Sequence, residues 1–428
     1  MGNKHNSYVL AQMQSLPLSA KERMSEQRIK VWFESWYRYK LVNKVTGRVV
    51  YKASVEEPKL TKNQYVDEVE SGACYVGFSG GKDSTVLADL TARFCKEYGY
   101  KLVLLFVNTG LEYPEIQKHV KEFHKYLETK YDMEIELVIK RPEMRFDQVL
   151  KEYGYPIIGK EVAQKIDEAR KGYKSSIEKL NGTYKKDKVK NYNTDYNNIS
   201  KYKYLLDSDF RISDRCCKVM KKKPSVDFSK ETARVQIVGT MANESSLRRS
   251  NWLRFGCNAF DSKKPSSQPL SFWTEQDILE YIVKYELPIA SVYGEILQDP
   301  KTGKYYSTGV KRTGCIFCAF GAQCRGDRRF LDLKESHPRQ YNYCINGGTY
   351  KWYGYVKSSV DWKSIDFINE DGTPFTENEI ECYIEKHKND DSYKFERIWV
   401  PSKEGLGLGK VLDYVGVKYK EDEEAKHE

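Results

Sequence analysis

An apolar run at residues 73–78 leads into Ser79-Gly80-Gly81-Lys82-Asp83-Ser84, which opens a helix-patterned run at 85–98. Strand, glycine-rich turn, helix start is the order a phosphate cradle needs. Glycines let the backbone curl close to an anion with no Cβ in the way. The free N–H groups of the helix start point at that anion, with the helix dipole behind them. Ser79 and Ser84 add hydroxyl donors and Lys82 adds a positive charge. Asp83 is the odd member, because a carboxylate beside a phosphate is repelled unless it meets a metal, a backbone donor or a reacting group. A plain turn between strand and helix is the simplest alternative, and the complete hexapeptide in this context outweighs it. The loop of the common nucleotide triphosphatases is excluded. That loop needs a glycine where Val76 stands and Ser or Thr where Asp83 stands.

The alternation continues downstream, with strand patterns at 102–107 and 135–139 around a helix pattern at 114–131. This predicts an α/β fold: a Rossmann-like parallel sheet flanked by helices. Ligands in such sheets bind at the carboxyl ends of strands. Residues 79–84 and Asn108-Thr109-Gly110 both fall at such ends, so one nucleotide site is the simplest inference. Upstream, residues 1–40 read as helical and 42–55 as a hairpin turning at Thr46-Gly47. Three regions are therefore expected: a helical lead-in with a hairpin insertion (1–70), a nucleotide-binding domain (71–330), and a cysteine-bearing C-terminal extension (331–428) whose role is unreadable.

A chain of 428 residues, 40% apolar, can bury a core, while a net charge of +10 favours anionic partners such as nucleotides or nucleic acid. Residues 160–210 interleave Lys, Tyr and Asn, as in Tyr184-Lys185-Lys186, which suits phosphate contacts and base stacking. A helical excursion with a solvated face is the plainer reading and is preferred. The polar residues 1–17 hold no signal-peptide core, Asn6 breaks a myristoylation motif, and the apolar run 102–107 is too short for a bilayer. A cytoplasmic protein without a membrane partner is expected.

Ten cysteines in such a compartment are not expected to form disulfides. Cys74 and Cys95 read as core residues. Cys315-x-x-Cys318 lets two thiolates face one metal from a tight turn at Gly314. Adjacent Cys216-Cys217 serves one centre only from a bent backbone, which suits a [4Fe-4S] cluster better than the compact tetrahedron of zinc. The candidate ligands are Cys216, Cys217, Cys315 and Cys318, with Cys257 and Cys324 as spares. A cluster, zinc and no metal all remain open. Basic neighbours such as Lys221, Arg312 and Arg325 favour thiolates.

Residues 79–84 resemble the PP-loop of the adenine-nucleotide α-hydrolase-like superfamily (HUP-type). From about residue 10 to about residue 330 the chain resembles one branch, the phosphoadenosine-phosphosulfate (PAPS) reductase family. The resemblance rests on the loop, on Asn108-Thr109-Gly110-Leu111-Glu112-Tyr113-Pro114-Glu115, on the helical lead-in 18–36, and on Arg215-Cys216-Cys217-Lys218 with Thr313-Gly314-Cys315-Ile316-Phe317-Cys318. It implies that Arg248, after a strand at 235–239, reaches the nucleotide. It also implies that the cysteine motifs hold an iron–sulfur cluster. The helix begun by Thr274 and stopped near Tyr285 fits the same pattern.

The chain departs from the family's sulfonucleotide reductases in two places. Those carry a nucleophilic cysteine on a C-terminal tail, whereas the last cysteine here is Cys382, in a helix-like run. They also vary the phosphate loop, which is intact here. Both departures favour ATP. The expected reaction adenylates an acceptor (RNA, DNA or a small molecule) with loss of pyrophosphate, and sulfur then displaces AMP. Lys82 and Mg²⁺ neutralise charge, Asp83 or Glu112 positions the metal, and Cys324 or the cluster carries sulfur from a donor protein. The alternatives are a reductase releasing sulfite from PAPS or adenosine phosphosulfate, and a non-catalytic subunit binding nucleotide and cluster.

Overall fold

The computed structural model describes residues 3–184, 198–346, 348–359, 361–369, 371–401 and 407–420. Most of the basic run that begins at Tyr184 and the charged end at 421–428 lie outside these. The chain divides into two compact units, Met1–Val149 with Arg215–Ile316, and Leu150–Asp214 with Phe317–Glu428.

The first unit opens with helices α1 (Ser7–Gln14) and α2 (Leu18–Ser35). α2 buries Leu18, Ile29, Trp32 and Phe33 on one face, the three-and-four spacing of an amphipathic helix. It ends at Ser35 rather than near residue 40, because Tyr37, Tyr39 and Leu41 alternate. Tyr39 and Leu41 are buried as β1 (Tyr37–Asn43) begins. The expected hairpin is present: β1 pairs antiparallel with β2 (Val49–Ser54). Its turn is held by Asn43 Oδ1, which accepts from the N–H groups of Val45 and Thr46 at 2.9 Å each. A third strand, β3 (Gln64–Ser71), pairs on the other side of β1. It is largely exposed, so no apolar alternation announces it.

The main sheet has six strands and carries the core. From one edge they are β6 (Ile135–Lys140), β5 (Leu102–Val107), β4 (Cys74–Gly77), Val235–Val238, Ser266–Ser267 and Asn258–Ala259. All pairings are parallel except the last, between Ser266–Ser267 and Asn258–Ala259. β5 is buried on nearly every residue, as a central parallel strand must be. The crossover helices are α3 (Lys82–Tyr98) and α4 (Pro114–Tyr131); α4 turns Ile116, Val120, Phe123 and Leu127 inward. The helix Glu275–Lys284 starts at Thr274 with a reciprocal cap involving Asp277, as the sequence predicts. Fully buried Asp89 of α3 ties these helices together. Its carboxylate accepts from Lys130 Nζ (2.8 Å), Tyr131 Oη (2.9 Å) and Tyr281 Oη (2.7 Å). This is the α/β, Rossmann-like sheet expected from the alternation.

In the second unit, strand Ile157–Ile158 runs parallel to Ala319–Phe320. Helices Lys160–Arg170 and Lys174–Asn181 follow, and Arg170 donates to the carbonyls of Leu205, Ser208 and Phe210. Strand Gly348–Lys357 lies between Trp362–Ile365 and Tyr393–Pro401 in an antiparallel sheet. Helix Glu377–His387 packs Tyr383 against Phe367, Phe375 and Phe395. The segment 150–214 thus groups with 317–428 and not with the main sheet. Among the described residues no helix is long and apolar enough to cross a membrane.

Candidate functional site: a cationic cavity at the sheet's carboxyl edge

The hexapeptide forms the turn between β4 and α3. Phe78 N–H donates to the Leu105 carbonyl, so the chain leaves the sheet only at Ser79. Ser79 and Ser84 then close the loop on itself: their hydroxyls lie 3.1 Å apart, Ser79 N–H donates to Ser84 Oγ at 3.2 Å, and Ser84 Oγ donates to the Gly81 carbonyl at 2.9 Å. Gly80 has φ of +73°, and a Cβ there would stand 2.8 Å from Val120 Cγ2. Gly81 is the N-cap of α3, and no side chain caps that helix. The first turn of α3 thus opens at a cavity lined by Gly81, Lys82, Asp83 and Ser84, the position of an anion site at a helix N-terminus. Across the cavity, a Cβ on Gly239 would lie 2.8 Å from the Asp83 carbonyl, so the end of the neighbouring strand abuts the start of α3 through glycine.

The cavity above this loop has a volume of about 310 Å³. Ser79, Gly81, Lys82, Asp83 and Ser84 line it on one side, and Arg248, Lys311 and Arg312 supply three further cations. Lys82 Nζ is buried and has no hydrogen-bond partner. It lies 3.6 Å from Glu275 Oε1 and 5.0 Å from the centre of the Tyr293 ring. Burial holds its ammonium below the usual lysine range, and Glu275 and Asp83 only partly offset this. The Asp83 carboxyl is pushed up by burial against the pull of Lys82 and Arg312. Arg248, in the helix Ser246–Phe255, pairs with Glu244 of the short turn Ala242–Glu244 just before it, and burial pulls its guanidinium down. Tyr293 Oη meets Thr313 Oγ1 at 2.5 Å, and burial pushes the phenol to about 12. Four cations, one of them a buried ammonium without a hydrogen-bond partner, around an uncapped helix start fit the phosphates of a nucleotide.

A second cavity of about 250 Å³ adjoins the first, sharing Gly77, Ser79 and Thr313. Its walls include Leu105, Phe106, Val107 and Ile116, with Glu112 and Lys221 as charged members. The expected second motif borders it. Glu112 accepts from Thr109 N–H at 3.1 Å and from Thr109 Oγ1 at 2.7 Å, and Asn108 Oδ1 accepts from Gly110 N–H at 3.0 Å. Glu112 thus holds this turn in shape, while Asp83 stands in the phosphate cavity. Glu244, Glu275, Tyr293, Lys311 and Thr313 were not foreseen as site residues. They come from four separate stretches; Thr313 opens the Cys315–Cys318 motif, and no phosphate-site motif marks the others.

The cysteines fall into several settings. Cys74 and Cys95 are buried in the core, as expected. Cys257 is there too, with Ser271 Oγ at 3.3 Å from its sulfur. Cys216 is buried and Cys217 half-buried on the helical turn Arg215–Cys217. Lys221 follows. Burial works to lower its pKa, yet Cys315 and Glu112 outweigh burial and raise it, with Cys315 also in hydrogen-bond contact. Cys318 and exposed Cys324 belong to the second unit, near Arg329, and the boundary between units falls between Cys315 and Cys318. Among the described residues no three His, Cys, Asp or Glu side chains stand together at metal-binding spacing. Of the predicted ligands, Cys216, Cys217 and Cys315 belong to the first unit and Cys318 to the second.

The family model of the phosphoadenosine phosphosulfate reductase domain matches residues 73–181 and 159–319, more than half of the chain. An uncharacterized protein of Methanocaldococcus jannaschii is 23% identical over 243 residues, covering 57% of this chain and 35% of that protein. A cytoplasmic tRNA 2-thiolation protein 1 of Lodderomyces elongisporus is 38% identical over 88 residues, covering 20% of this chain and 23% of that protein. The chain spans about a third and about a quarter of the length of these two relatives.

Proposed function

Given that this chain belongs to the phosphoadenosine phosphosulfate reductase domain family, we propose that it is a PP-loop enzyme that splits ATP to activate an acceptor for sulfur transfer. The observation that carries this reading is Lys82: its Nζ is buried without a hydrogen-bond partner, and the residue lines a cavity with Arg248, Lys311 and Arg312. A buried ammonium that makes no hydrogen bond and only a loose ion pair with Glu275 is expensive, and a phosphate would supply the missing hydrogen bonds. The β and γ phosphates take the loop and the adenosine takes the adjoining, more apolar cavity. An acceptor oxygen attacks the α-phosphorus, forming an adenylate, and pyrophosphate leaves into the cationic wall. Fixed cations and helix N–H groups stabilise that departing charge without reorganising. A magnesium ion would be held by Asp83 with the phosphate oxygens and would neutralise charge on the leaving group. The terminal sulfur of a carrier persulfide then attacks the activated carbon, the C–O bond breaks and AMP leaves with that oxygen, and an external thiol reductant cleaves the remaining S–S bond to free the thiolated product and leave a disulfide. The name of the tRNA 2-thiolation relative supports a nucleic-acid acceptor and the cytoplasm as the compartment; a separate protein is proposed as sulfur donor. Cys324, exposed, remains the proposed sulfur-carrying thiol.

ATP binding and pyrophosphate release across nucleic-acid and small-molecule acceptors test this reading. The native protein is expected to bind ATP, and Lys82→Ala to lose at least tenfold in affinity (about 1.4 kcal/mol) with an unchanged fold. Undiminished binding by Lys82→Ala would overturn the assignment. The family's own description supports a second reading, reduction of a sulfonucleotide. Sulfite release from PAPS with a thiol donor, without ATP consumption, would select it. The four-cysteine cluster is a separate proposal, tested by an iron and acid-labile sulfide count on anaerobically purified protein; iron-free protein removes it.

A further inference from the structure

Glu275 holds a position that the proposed reaction does not use. It is the first residue of the helix Glu275–Lys284, whose start is fixed by reciprocal hydrogen bonds between Thr274 and Asp277. The backbone is therefore anchored, while the side chain is half exposed, at 52%. The carboxylate reaches Lys82 Nζ at 3.6 Å, within ion-pair range but beyond hydrogen-bond range. Lys82 stays unsatisfied by hydrogen bonds. A loose pair between a buried ammonium and a half-exposed carboxylate is an incomplete one, and a phosphate oxygen in the same cavity would serve Lys82 better. Asp83 also lines that cavity, as does Glu244, which pairs with Arg248, and the charge of Glu275 contributes to raising the pKa of Asp83.

Building on the ATP-loop reading above, we propose that Glu275 is the resident counter-ion of the phosphate cavity, displaced from Lys82 by an entering polyphosphate. We further infer that it makes the site select polyphosphate carrying a divalent cation over the bare anion. Once displaced, the carboxylate remains beside the phosphates. It repels a bare polyphosphate, since like charges brought together disfavour binding. A cation shared among the phosphates, Asp83 and Glu275 turns that repulsion into attraction, because magnesium binds through one or two carboxylates plus substrate phosphates. Glu275 is thus a specificity-determining residue.

Calorimetric titration of the full chain with inorganic pyrophosphate and with ATP, each with magnesium or with chelator, tests this in the native protein, Glu275→Gln, Glu275→Ala and Lys82→Ala. Both Glu275 variants are expected to bind metal-free pyrophosphate on the order of tenfold tighter than the native protein. The gain in affinity that magnesium confers should shrink with them. Ligand-free melting curves confirm that the variants are folded. Metal-free affinity that is unchanged or weaker in both Glu275 variants, while the native protein binds and Lys82→Ala does not, overturns the role of Glu275 and leaves the ATP reading standing. Absence of binding by every form, with and without magnesium, overturns both.

Discussion

At Gly80 two constraints meet: a φ of +73° that L-residues avoid, and a wall formed by Val120 and Ile116 of α4. Gly80→Ala is expected to cost roughly 1–3 kcal/mol of stability in a denaturant titration, and to weaken ATP binding because the loop cannot keep its curl. Lys82 makes a prediction in pH. Its free-state pKa lies below the usual 10.5 because of burial, whereas a bound phosphate would raise it. Affinity for ATP should therefore begin to fall as pH rises through a value below 10.5, measured by titration between pH 7 and 10. A profile flat across that whole range would contradict the burial argument. Residues 79–84 were legible because they are contiguous and each has a chemical reason to be there. Glu275, Tyr293 and Lys311 were not, because their role exists only once separate helices and loops converge.

Among the elements, α3 is the hub. Asp89 on it is fully buried and takes three donors from α4 and from the helix Glu275–Lys284. Asp89→Ala would leave Lys130 and two phenols without their acceptor, at an expected cost of about 3–5 kcal/mol, read as a lowered denaturation midpoint. His119 of α4 packs against α3, its Nε2 3.1 Å from Thr85 Oγ1, and burial lowers its pKa to about 4. The imidazole is neutral in the fold, while the unfolded chain takes up a proton near 6.5. Its contribution to stability is thus complete above pH 6.5 and is lost as pH falls from 6.5 toward 4, by about 3 kcal/mol in all. A stability profile over that range checks it, and His119→Gln should remove this part of the slope. Elements with a buried face, such as β5 and α4, were readable from periodicity. β3 was not, since it pairs through its backbone while its side chains face water.

Over the whole molecule, the cavity collects Gly77 to Ser84, Val238 to Arg248, Glu275, Tyr293 and Lys311 to Thr313. Hydrogen-exchange measurements with saturating ATP should show added protection at 78–85, 239–248 and 311–313, and none in the sheet spanning 348–401. Protection confined to the latter would place the nucleotide elsewhere. The parallel sheet followed from the strand–helix alternation. The grouping of 150–214 with 317–428 left no mark in composition, because pairings such as Ile157–Ile158 with Ala319–Phe320 involve two residues each.

The dispersal of that cationic wall also orders events during synthesis. A nascent chain that has emerged as far as β6 already holds the loop, yet lacks Arg248, Lys311 and Arg312. If the proposed nucleotide site is right, its anion seat is complete only once Thr313 has emerged, so nucleotide is expected to stabilise the closed site rather than the early sheet.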